Sequence, residues 1–127
     1  MENNIEKLIN GIKQQAEIFL LDAGEFFPFG SSIDINDNFI PIGAYLNDEN
    51  DRPESLPLIA ILEKGIREEI ENGSYVIAAI AVDGLIKEGE QPFDVIQIRV
   101  FEADRTYIIL FKYIVEGENV KFIPASA

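Results

Sequence analysis

Apolar residues recur at three- and four-residue steps over positions 4 to 23. Ile5, Leu8, Ile9, Ile12, Ala16, Phe19, Leu20 and Ala23 would line one face of a helix. Asn3 or Asn4 can cap its start, and Asn3 with Glu6 has the spacing of a capping box. Gly24 stands where a helix commonly ends in a left-handed residue. Gly11 weakens the helix interior by roughly 1 kcal/mol relative to Ala, which close approach of another element would justify. From Glu25 to Leu46 the pattern shortens to β-like runs. Pro28 suits an edge or a strand start, and Ile33-Asp34-Ile35 and Phe39-Ile40-Pro41-Ile42 flank an Asn36-Asp37-Asn38 turn as a hairpin.

The polar stretch Asn47 to Glu54 predicts a solvated loop, and Ser55 then caps a second helix that tolerates Pro57 in its first turn. Leu58, Ile59, Leu62, Ile66 and Ile70 make its apolar face, Glu63 and Arg67 pair on its exposed side, and Asn72-Gly73 ends it. After Ser74 the chain predicts strands over Tyr75 to Val82, Val95 to Glu102, Thr106 to Val115 and Val120 to Ile123. Turns fall at Asp83-Gly84 and Lys87 to Glu90, at Ala103 to Arg105, and at Glu116 to Asn119. The expected architecture is one α+β domain over residues 1–127, in the order α-β-β-α-β-β-β(-β). Both helices would pack on one face of a mostly antiparallel sheet of five or six strands.

That order resembles the start of roadblock-like and profilin-like domains, which are binding folds, without a roadblock domain's final helix. A second resemblance rests on Glu25-Phe26-Phe27-Pro28-Phe29-Gly30 after the first helix. Pro41-Ile42-Gly43-Ala44, Ala78 to Asp83, Asp94 to Ile98 and Glu102 add to it. Here the chain resembles a group of small bacterial proteins of unknown function that carry an E-F-[FY]-P-F-G motif. Some of them look like members of toxin–immunity neighbourhoods. The resemblance implies a fold and no catalytic residue.

Composition narrows the chemistry. The 127 residues include 23 acidic and 10 basic side chains, a net charge of −13, and no Cys, His or Trp. Disulfides, thiolate metal sites, Cys nucleophiles and every His-based triad are therefore excluded. The charge repels phosphate backbones and anionic lipid, so neither a nucleic-acid partner nor a membrane surface is expected. The longest apolar run, Val76 to Val82, is too short to span a bilayer, and the N-terminus lacks the basic flank of a secretory signal. A cytoplasmic location is the default.

No catalytic motif stands out. Asp34-x-Asn36-x-Asn38 imitates a calcium loop, but Phe39 and Tyr45 replace its Gly and bidentate Glu, and a turn explains the residues better. The Ser residues lack S-x-x-K and G-x-S-x-G spacing, and no phosphate-binding glycine loop occurs. No cofactor and no metal site is expected.

Three constellations remain. Asp48, Glu49, Asp51 and Glu54 form an acidic surface suited to a basic protein partner, whose association it would accelerate. In an extended chain around Pro28, Phe27 and Phe29 share one face and Phe26 the other. Phe27 and Phe29 then read as core, while one of these rings left exposed beside the acidic loop would be an aromatic anchor, with Phe29 the candidate. Asp83, Asp94 and Glu102 lie at or beside strand ends and are the alternative, carboxylates sharing a ligand pocket. The leading expectation is a non-enzymatic acidic interaction domain, an immunity-type inhibitor or adaptor. The others are a small carboxylate-using enzyme or ligand-binding domain, and a homodimer paired along the Thr106 to Val115 edge.

Overall fold

The computed structural model describes residues 3–43 and 55–125. The order is α1 (Asn4–Ala23), β1 (Phe29–Asp34), β2 (Phe39–Ile42), α2 (Ser55–Glu71), β3 (Tyr75–Glu88), β4 (Gln91–Phe101), β5 (Thr106–Glu116) and β6 (Asn119–Ala125). The expected α+β class and order hold, with six strands among the described residues. All pair antiparallel, in the spatial order β2-β1-β3-β4-β5-β6.

Local chemistry sets the ends of α1. Asn3 Oδ1 accepts from the Glu6 N–H at 2.8 Å, and Gly24 closes the helix at φ 76°, its N–H donating to the Leu20 carbonyl. Leu8, Ile9, Ile12, Ala16 and Leu20 are buried as the spacing predicts. Gly11 has the reason anticipated for it: a Cβ there would stand 2.3 Å from Phe39 Cε2, so the ring of β2 needs the bare helix backbone. The Asp34 to Asn38 segment is the expected turn. Asp34 Oδ1 accepts from the N–H groups of Asn36 and Asn38, both at 2.9 Å.

The helices do not share a face. Consecutive residues of β3 point alternately to the two helices: Ile77, Ala79 and Ala81 join the core under α1, whereas Ala78 and Ile80 join the one under α2. β1 agrees, since Ser31 Oγ donates to Gln15 Oε1 of α1 at 2.5 Å while a Cβ on Gly30 would face Leu62 of α2. Residues 29–33 of β1 are all buried because both sides of the strand are covered. The apolar run of β3 is thus doubly covered, a feature that the expected one-face packing did not require.

α1 packs on β1, β2 and β3 and also on β6 at the opposite end of the sheet, so the sheet curls round it. The Lys13 ammonium lies 4.1 Å above the Phe111 ring on the β5 side of that inner face. α2 packs on the outer face against β3 and β1.

Other expectations need correcting. Asp83-Gly84 is not a turn; β3 runs through it to Glu88, and Gly89, at φ 64°, makes the reversal instead. β5 is an interior strand, not an edge: β4 pairs with its residues 106–112 and β6 with its residues 110–116, so Thr106 to Val115 is not the free edge pictured for a homodimer. Among the described residues the edges are β2 and β6, and each contains a proline, Pro41 and Pro124.

Candidate functional site

The aromatic motif after α1 closes over one end of the inner face. Gly24 turns the chain, Phe26 and Phe29 fold inward, and Phe27 stays outside at 41% exposure. This reverses the expected pairing of Phe27 with Phe29. The segment from Glu25 to Pro28 is not a strand, so strict alternation does not govern it, and the inward rings are three apart. Phe29 meets Phe19 at 5.3 Å and Phe26 at 5.5 Å, both edge-to-face, and Phe26 lies 6.5 Å from Tyr113. Phe29 is therefore core, not an exposed anchor.

Asp83 holds this closure in place. Its Oδ1 accepts from the Tyr113 hydroxyl at 2.6 Å, and its Oδ2 accepts a longer bond from the Phe26 N–H at 3.4 Å. Burial pushes the Asp83 carboxyl above the usual carboxylate range. The two donors oppose that rise, and the nearby charges of Asp94 and Glu25 add to it. Burial, and next the bond to Asp83, drives the Tyr113 hydroxyl well above the ordinary tyrosine value.

Asp94 belongs to the same neighbourhood. Asp83 pairs with Ile96 and Leu85 with Asp94, which puts the three side chains Asp83, Leu85 and Asp94 on the inner face beyond the end of α1. Leu85 is 62% exposed. Glu102 is elsewhere: it follows the opposite end of β4, eight residues from Asp94 and about 27 Å away at strand spacing. There it bonds Arg105 Nε at 3.0 Å. The pocket of Asp83, Asp94 and Glu102 does not form, and Asp83 has both oxygens occupied by groups of the chain itself.

What the fold assembles instead is an acidic end with apolar points. Glu25 and Asp94 stand around the Asp83–Tyr113 pair, with Phe27 and Leu85 exposed beside them. Leu85, Glu25 and Tyr113 were missed as site residues, and Phe27 was read as core with Phe29 as the candidate anchor. The three-residue spacing of Phe26 and Phe29 was the available signal for Phe27, whereas nothing local marked Leu85 or Tyr113. Asp48, Glu49, Asp51 and Glu54 lie outside the described residues. Among the described residues, no three acidic side chains are grouped to hold a metal ion, and no helix is long and apolar enough to cross a membrane. No protein-family model, curated protein or solved structure matches the chain.

Proposed function

We propose that the chain is a non-enzymatic protein-interaction domain, an immunity-type inhibitor or adaptor, that receives a basic partner at the acidic end of its inner face. The observation that carries this reading is the exposure of Phe27 and Leu85 in the company of Glu25 and Asp94. An aromatic and an aliphatic side chain supply the area that is desolvated on contact, and the carboxylates at the rim orient and accelerate approach. Net charge −13 extends the attraction, and Asp48, Glu49, Asp51 and Glu54 contribute to it through their formal charge.

The test is capture of partners from the source cell's lysate at low and high salt, with the parent chain and two variants. Phe27→Ala should lose a salt-sensitive basic protein through faster dissociation. Glu25→Gln with Asp94→Asn should slow its association. Equal recovery by the parent and both variants would refute this site, and an unchanged association rate at low salt after neutralising Asp48, Glu49 and Asp51 would refute steering by that segment.

A further inference from the structure

On the outer face the sheet outgrows its helix. α2 covers β1 and β3 and meets β4 at Phe101. The register places the rows Arg99–Ile108, Gln97–Leu110 and Val95–Lys112–Ile123 on the same face beyond it. Ile108 is 56% exposed there, and Leu110 and Ile123 are half-buried. Where α2 meets these strands, an open groove of about 410 Å³ has Glu63, Arg67, Arg99, Phe101 and Ile108 in its lining.

The charge of this face runs against that of the chain. Arg67 and Arg99 line the groove, Lys112 lies along the strands, and Lys121 shares the face through its pairing with Ile114. Two of the carboxylates nearby are already held, Glu63 by Arg67 at 3.1 Å and Glu88 by Lys112, while Glu116 stands at the far end of β5. The guanidinium groups are fixed in place: Arg67 stacks 5.1 Å from the centre of the Phe101 ring, and Arg99 Nε donates to Gln97 Oε1 at 2.7 Å.

We propose that this groove and the adjoining strand face dock a segment of a partner protein that combines apolar side chains with carboxylates. The apolar side chains cover Ile108, Leu110 and Ile123. The carboxylates meet Arg99 and Lys121, and Arg99 presents the planar donor fork that suits a carboxylate. A second copy in two-fold packing fits poorly, because it sets these cations against themselves. Area argues the same way. Three strands about 4.8 Å apart, over about seven residues at about 3.4 Å each, offer roughly 350 Å², well below the ~800 Å² per partner of a standard interface. A peptide segment fits that footprint.

The experiment is a titration of the isotope-labelled full chain with two synthetic twelve-residue peptides, one alternating Leu with Glu and the other Leu with Lys, followed by amide NMR shifts. The Leu/Glu peptide should move the amides of Arg99, Ile108, Leu110 and Lys112. Arg99→Glu and Lys121→Glu should each weaken that binding at least tenfold while the spectrum stays dispersed. The exposed position of Lys121 keeps the test valid if Arg99→Glu disturbs folding. Unmoved amides at millimolar peptide, shifts confined to another surface, or equal binding by the variants would overturn the proposal. So would concentration-dependent shifts of these residues without peptide, which would assign the face to a second copy. Binding of the Leu/Lys peptide near Phe27 and Leu85 reports on the acidic end alone, so the two surfaces stand or fall separately.

Discussion

The Tyr113 hydroxyl donates to Asp83 Oδ1 at 2.6 Å, joining β5 to β3, the strand that follows α2, across 30 positions of chain. With the Phe26 N–H on the other oxygen, one carboxylate ties β3, β5 and the loop after α1 together. Tyr113→Phe should destabilise the fold by about 1.5–3 kcal/mol, the range for a hydrogen bond to a charged group. Asp83→Ala should cost more, since it strips the partner from the Tyr113 hydroxyl and from the Phe26 N–H together. Urea denaturation of both single variants and the double variant measures the coupling, and strictly additive losses would show that the bond contributes nothing.

The same pair fixes a pH dependence. Asp83 is raised in the fold, so between its ordinary unfolded value and its higher folded value the native state holds the proton more tightly. Stability contributed by the protonated form is therefore present at the acid end and declines as pH rises through that window. Asp83→Asn should remove this segment of the pH–stability curve. Tyr113 is raised as well, so its contribution is lost as pH climbs above the ordinary tyrosine value. Ultraviolet titration should show one tyrosine that ionises only as the protein unfolds, and Tyr113→Phe should abolish that late step.

Phe27 and Phe29 make a contrast that separates core from surface. Phe29→Ala should cost about 3–5 kcal/mol, as for other buried aromatic truncations. Phe27→Ala should stay within about 1 kcal/mol of the parent, because much of that ring is exposed. Thermal or urea unfolding of the two variants gives the comparison directly.

Gly11→Ala should destabilise the protein even though Ala favours a helix by roughly 1 kcal/mol over Gly. The new methyl would overlap the Phe39 ring, so α1 or β2 must shift. Adding Phe39→Ala should make the Ala at position 11 favourable, a change of sign that a double-mutant cycle reads.

Replacing the edge prolines should promote self-association. Pro41→Thr with Pro124→Thr gives β2 and β6 backbone donors that proline lacks. Sedimentation should show a higher average mass than the parent at equal concentration.

Much of the fold was legible because its signals are local. The three-and-four spacing from Ile5 to Leu20, the Asn3 cap and the left-handed Gly24 are properties of neighbouring residues, and they fixed α1 almost to its ends. The second helix and the β1–β2 turn were legible for the same reason. Asp83-Gly84 misled because turn chemistry is only a preference. Pairing with Val95 and Ile96 keeps those residues extended.

Sequence by itself determined the class, the order of elements, the acidic charge and the lack of His and Cys chemistry, since each follows from composition or from contacts a few residues long. Tertiary structure alone decided that the helices take opposite faces, because alternation along β3 shows two buried sides only when both partners are in place. It also decided that Asp83 meets Tyr113 and Asp94 but not Glu102, and that Phe27 is the exposed ring. Strand register and the curl of the sheet set those distances, and both arise from pairings between residues far apart in the chain.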